Sequence, residues 1–264
     1  MRFSVVLFAA SLVMPLAAQW DPVLPKNVPR LSNGKPNLAA PAPRTKDGKP
    51  DLSGVWWVPL RSDENDQDSP PPKYAVNLAA DLAPEGVIMR PATAALFQKR
   101  AEGLGKDFPS SRCTPPGVPL NYTIPTPFKI VQTPEVSVVL HEEANLARQI
   151  FTDGRKLPRD PLPTWMGYSI GHWEGNVLVV ESSGFNDKTW LDAAGHPHGE
   201  MLRITERYRR LNVGNMEIEI TITDPEHYER PWTAKVAVEL LPEVEMMESV
   251  CLEAERDVVH LVGQ

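Results

Sequence analysis

A chain of 264 residues with a formal net charge of −7 is long enough to fold as one domain around a substantial core. The acidic balance excludes nucleic acid as a principal partner, because phosphate recognition needs a basic face. The two cysteines, Cys113 and Cys251, have no CxxC or Cys-His spacing, which argues against a zinc or thiol redox centre.

The chain opens like a secretory signal. Arg2 is followed by the apolar run Val5–Leu16 and by Ala17-Ala18 as a cleavage site before Gln19. Residues 1–18 are therefore expected to be removed and the protein to be secreted or periplasmic. The run is shorter than the ~20 residues a membrane span needs, and no other stretch approaches that length, so the mature chain is expected to have no span. In an oxidising compartment Cys113 and Cys251 are expected to form one long-range bridge, pinning the N-terminal half to the last strand. Two free buried thiols are the alternative.

Residues 19–110 read as an extended Pro-rich arm carrying a first strand and a short helix. The strand signal is Asp51–Val58, with Trp56 and Trp57. A helix is expected over Thr93–Glu102, with Thr93 as N-cap and Gly103 as stop. Residues 60–91 are acidic and Pro-rich and are expected to form a loop. No repeat of propeller length is present.

From 111 to 256 strand signals follow one another, separated by turns. They fall at 128–132, 136–142, 146–152, 167–173, 177–182, 201–211, 216–223, 232–240 and 246–252. Glu174-Gly175-Asn176 and Asn212–Asn215 have the composition of hairpin turns. The pattern predicts an all-β protein with minor α content, an antiparallel meander that forms a closed or nearly closed barrel. Residues 257–264 form a tail.

Period-two phase places polar groups on the apolar face. Leu202, Ile204 and Tyr208 share one side of their strand, and Glu206 has the same parity. The same logic puts Arg148 with Leu146 and Ile150. The basic run 207–210 is expected on the solvent face, apart from Tyr208. Carried backward, the phase adds Glu200, His198 and His196 to the inner face. Two arrangements satisfy this pattern. In one, Arg148 and Glu206 form a structural pair inside the barrel while the histidines sit on a rim loop. In the other, the polar groups close one end of a cavity, with His196, His198, Glu206 and Asp192 as acid–base candidates. There Arg148 and Tyr208 contact the ligand, and Trp165 and Trp190 stack on it.

A third arrangement is a divalent metal held by His196, His198 and Glu200. On a straight strand His196 and Glu200 stand about 13 Å apart, too far for one ion, so no metal or other cofactor is assigned. His141, His172, His227 and His260 receive no role.

Two resemblances accompany this reading. Gly54-Val55-Trp56 on a first strand is similar to the opening of lipocalins. The wording of residues 173–200 (WEGNVLVVESSGFNDKTWLDAAGHPHGE), with Ile150–Arg155 and Asp224–Thr233, resembles a family of secreted bacterial proteins that brings no established activity with it. Its members tend to have Ser where this chain has Gly199 and Arg where it has His172. That resemblance implies export without specifying chemistry. The expectation is an exported barrel handling a small organic molecule in an internal cavity, by His/carboxylate catalysis of hydrolase, lyase or isomerase type. A non-catalytic lipocalin-like binding protein, or a structural module using the Pro-rich arm as its contact segment, are the alternatives. Oligomeric state is not indicated.

Overall fold

The computed structural model describes residues 28–59, 77–103 and 105–251. The expected signal segment, residues 60–76 of the acidic loop and the C-terminal tail lie outside them. Nine strands form one closed barrel in chain order. They are β1 (Gly54–Trp57), β2 (Phe128–Gln132), β3 (Val136–His141), β4 (Ala147–Phe151), β5 (Tyr168–Glu174), β6 (Val177–Ser183), β7 (Arg203–Arg210), β8 (Asn215–Thr223) and β9 (Trp232–Leu240). One α-helix, α1 (Pro91–Glu102), is present among the described residues, and no helix there is long and apolar enough to cross a membrane.

The meander differs from the expected pattern in one pairing. β4 and β5 run parallel, with Ile150 opposite Ser169, and residues 152–167 carry the chain back from one end of the barrel to the other. The barrel closes where Trp56 of β1 pairs with Leu240 of β9. That closure explains why residues 246–251 do not form the expected tenth strand, whose last position, 252, lies outside the described residues; no free sheet edge remains for them to join. Met247 and Ser249 instead hydrogen-bond to the 142–145 turn, and Cys251 is bonded to Cys113. The bridge is thus formed as expected, but it anchors a segment that follows the last strand.

Inward positions follow the alternation read from the sequence. Met216, Ile218, Ile220 and Ile222 of β8 are each at most 1 % exposed, as are Ile204, Glu206 and Tyr208 of β7. Arg207 and Arg209 point outward, where they pair with Glu174 and Glu217. Arg210, expected on the solvent face, is instead buried. Its guanidinium lies 4.8 Å from the Trp56 ring centroid and donates to the carbonyls of Asp51, Asn212 and Val213. That stack ties the N-terminal arm to the barrel.

The two ends of the barrel are unlike. One carries tight hairpins at 132–136, 174–177 and 210–215, covered by the arm. The other carries the long connections, including residues 184–202 and 224–231, together with α1. A segment from Val118 to Ile124, buried throughout, reaches into that loop end and delivers Tyr122 to the lumen.

There Arg148 and Glu206 form an ion pair whose side chains are 1 % and 0 % exposed. Arg148 Nε donates to Ser169 Oγ at 3.1 Å, Nη2 to Ser182 Oγ at 2.9 Å and Nη1 to Glu206 Oε1 at 2.9 Å and Tyr122 Oη at 3.2 Å. Tyr208 donates to Glu206 Oε1 at 2.8 Å, and its hydroxyl lies 2.7 Å from that of Tyr122. Burial pushes the Tyr122 phenol up to about 12. For Arg148, burial would lower the pKa, but Glu206 and the two tyrosines outweigh it and hold the guanidinium well above its ordinary range.

Removing one partner of a buried pair strands the other charge at a cost of ~3–5 kcal/mol. Glu206→Gln and Arg148→Met are therefore each expected to lower urea-unfolding stability by about that amount, and the double variant Arg148→Met/Glu206→Leu by less than either. Cys113→Ser/Cys251→Ser is expected to lose roughly 4–5 kcal/mol in the same assay, the loop-entropy value for so long a closed loop.

Candidate functional site

An open cleft of about 490 Å³ lies at the loop end, walled by three elements. Helix α1 supplies Leu96 and Arg100, the β6–β7 connection supplies Asp187 and His198–Met201, and the β8–β9 connection supplies Glu226 and His227. Pro91 occupies the first helical position with Arg90 as N-cap, because proline's fixed φ suits that place. Thr93 is therefore not the expected N-cap. Its hydroxyl pairs instead with His227 Nδ1 at 2.9 Å, and Arg90 N donates to His227 O at 2.9 Å. These bonds fasten the helix to the β8–β9 connection.

The β6–β7 connection does not continue the β7 strand backward. Residues 191–202 are irregular, so the inward phase stops at Leu202, and Pro197 with the flanking glycines at 195 and 199 accounts for the break. This corrects the expectation that His196, His198 and Glu200 share an enclosure with Glu206. Asp192 organises the turn instead. Its carboxylate accepts from the backbone N–H groups of Leu78, Gly195 and His196 at 3.0–3.1 Å and pairs with His196 Nδ1 at 2.6 Å. The His196 ring lies between Phe97 and Trp232, with centroids 4.4 and 5.7 Å away. His198 Nε2 meets the Thr189 hydroxyl at 2.7 Å, and its Nδ1 faces Gly199 O at 3.2 Å.

The eight residues singled out from the sequence thus separate into groups. Arg148, Glu206 and Tyr208 are together in the lumen. Asp192 and His196 are paired beneath α1. His198 alone among the eight reaches the cleft wall. Trp190 is packed with Leu120 and Ile124 and lies under the guanidinium of Arg100, 4.8 Å from its ring centroid, so it borders the cleft through Arg100. Trp165 is half-buried against the barrel core. Glu200 lines the cleft but is exposed. Among the described residues no three His, Cys, Asp or Glu side chains group as a metal site, and that includes the His196, His198 and Glu200 set.

Gly199 is the tightest point of the cleft. A Cβ there would stand 2.6 Å from Glu226 Oε2 and 3.2 Å from His227 Nε2, so glycine is what lets these two side chains close over the backbone. Gly199 N donates to Asp224 Oδ2 at 2.8 Å, and Tyr228 Oη to Pro197 O at 2.8 Å, which stitches the two connections together. Sequence reasoning missed Glu226, His227, Arg100 and Asp187. They are far apart in the chain, and nothing in Asp224-Pro225-Glu226-His227-Tyr228 separates a cleft wall from an ordinary surface turn.

Burial sets the charge states. It depresses the His198 imidazole to about 4, so the ring is neutral near neutrality. It lowers Arg100 to about 10, which leaves a cation on a cleft whose lining also includes Asp187, Glu200 and Glu226. No family model matches the chain, and neither the curated proteins nor the solved structures compared with it provide a match.

His141, in the lumen, is depressed to about 3, by burial first and then by the Arg148 charge. Both His141 and His198 bind their proton more weakly folded than unfolded. The unfolded chain therefore takes up more protons as pH falls from the usual imidazole value of ~6.5 toward 4 and, for His141, toward 3. Stability is expected to decline with falling pH through that window. His141→Phe is expected to flatten the decline in a series of denaturant midpoints between pH 7 and pH 4.

Proposed function

We propose that the protein is an exported β-barrel that binds a small polar organic molecule in the cleft at its loop end, outside the lumen. The convergence of Glu226 and His227 over Gly199, in a cleft that also presents Arg100, carries this reading. His227 Nδ1 is held by Thr93, while its Nε2 abuts Gly199. The ring thus packs on the cleft wall beside the Glu226 carboxylate, with Nδ1 engaged. The lumen suits a ligand less well, because Trp56, Tyr122, Phe128, Tyr208 and the Arg148–Glu206 pair occupy it. Export is supported by the signal-like first 18 residues, by the Cys113–Cys251 bridge and by the resemblance to secreted bacterial proteins.

A second reading is acid–base catalysis in the same cleft. It is favoured by the carboxylate–imidazole neighbours, a combination suited to moving a proton on and off a bound molecule. His198 does not serve as the proton carrier, since its low pKa and two hydrogen bonds fix it as a neutral spacer. Glu226 and His227 take the roles that the sequence alone gave to Glu206 and His196.

A binding and turnover screen of small esters, lactones, glycosides and amines tests both readings. Glu226→Gln and His227→Ala are expected to weaken binding of any hit about tenfold or more, the loss of a charged hydrogen bond being worth ~1.5–3 kcal/mol; thermal unfolding is expected to be unchanged for Glu226→Gln and lowered for His227→Ala, which also loses the bond to Thr93. Gly199→Leu is expected to block the cleft. A hit whose affinity responds to Val236→Phe in the lumen but not to Glu226→Gln would move the site into the barrel and overturn the proposal.

A further inference from the structure

The arm over the hairpin end is a tandem repeat. Pro29-Arg30-x-x-Asn33-Gly34-Lys35-Pro36-Asn37-Leu38 recurs as Pro43-Arg44-x-x-Asp47-Gly48-Lys49-Pro50-Asp51-Leu52, at an offset of 14 positions. The two copies fold alike. Arg30 Nη1 donates to Gly34 O and Arg44 Nη1 to Gly48 O, each at 2.6 Å. Leu31 N reaches Lys35 O and Thr45 N reaches Lys49 O at 2.9 Å, and Asn37 N and Asp51 N close back onto Pro29 O and Pro43 O. Each copy is a hairpin closed by its own arginine, with a left-handed glycine at the tip.

The copies differ in what they do for the barrel. The second inserts Leu52, 1 % exposed, beside Trp56. In the first, the equivalent Leu38 rests on Gly214 while 36 % exposed, and Leu31 is 47 % exposed. Both copies are attached to the barrel, the first through Gly214 N to Leu38 O and Val213 N to Ala40 O, but attachment leaves the exposure of Leu31 unexplained.

Charge adds an independent observation. Residues 28–52 hold five basic side chains (Arg30, Lys35, Arg44, Lys46, Lys49) against Asp47 and Asp51, in a chain whose net charge is −7. Among the described residues none of the five forms an ion pair with a barrel carboxylate. Arg44 reaches Asn176 and Lys49 overlies Trp173. A basic arm serving only to dock on its own acidic barrel would use those carboxylates.

We propose that the paired hairpins dock the protein onto an anionic lipid surface, with Arg30, Lys35 and Lys46 toward the headgroups and Leu31 entering the interface. Repetition suits such a surface. Two similarly folded hairpins, each carrying basic side chains, raise avidity where the negative charges are laterally repeated, and each basic residue within a Debye length of an anionic bilayer adds to the attraction. The orientation leaves the cleft facing away from the membrane.

Co-sedimentation of the full exported chain with phosphatidylcholine vesicles, with and without phosphatidylglycerol, tests this. Binding only to the mixed vesicles, weakened by salt, is expected. Arg30→Gln/Lys35→Gln/Lys46→Gln is expected to weaken it roughly a hundredfold, and Leu31→Ser more modestly. Lys35→Gln/Lys46→Gln leaves both arginine clasps intact and separates charge from hairpin folding. Equal binding to neutral vesicles, indifference to the double lysine variant, or capture by dextran sulfate without partition onto vesicles would each overturn the assignment. None of these outcomes depends on whether the cleft binds a ligand.

Discussion

The Arg148–Glu206 pair is the constraint around which the barrel is arranged. Two charges cannot lie in a closed apolar lumen unless every donor and lone pair is met, and the chain meets them from several directions. Ser169, Ser182 and Tyr208 come from neighbouring strands β5, β6 and β7. Tyr122 comes from a segment that must thread the loop end to reach them. Such a network is costly to leave half-formed, so it fixes the strand register and the plug together. The cross-barrel reach of Arg148 also helps fill the lumen with side chains.

Filling the lumen moves the opportunity for binding outward. The hairpin end is sealed by Arg210 stacked on Trp56 and by the arm that follows from it. The loop end carries the long connections, which are where rigid scaffolds usually present chemistry. Here those connections are not loose. Asp192 draws in backbone N–H groups from two separate segments, Asp224 holds Gly199, and α1 is fastened through Thr93 and Arg100. A cleft with walls fixed this way loses little freedom when a ligand enters, and preorganisation of that kind is a recognised source of affinity.

How much of this was legible in the sequence follows from the range of the forces involved. Strand alternation is local, so the inward phase of Leu202 through Tyr208 and the pairing of Arg148 with Glu206 could be read from parity and charge. Closure of the sheet is not local. It consumed the edge that residues 246–251 needed, and it allowed the parallel β4–β5 pair through a connection that no short motif announces. Parity also failed where the backbone changed state. Pro197 and the glycines at 195 and 199 stop the strand, so a phase that holds at 202 means nothing at 198. The Glu226–His227 wall was invisible because its partners, Thr93 and Gly199, lie on other elements. The hairpin repeat is present in the letters, but its period of 14 is far shorter than a propeller-length repeat.

The histidines show why burial and reactivity part company here. His196 has a carboxylate partner at 2.6 Å, the geometry of a catalytic couple, yet Phe97 and Trp232 cover its ring and Asp192 is spent on three backbone donors. His198 touches the cleft, yet burial empties it of its proton and its two nitrogens are engaged. Each is held so completely that it serves as framework. Among the described residues a hydrogen bond holds His227 at Nδ1 only, and its neighbour Glu226 is exposed. A side chain that still has an unmet hydrogen-bonding position facing an opening can gain from a ligand, whereas a satisfied one would have to break a bond to do so. By that criterion the two residues with the least conspicuous sequence surroundings are the ones on the cleft wall with the most hydrogen-bonding capacity left to gain a partner.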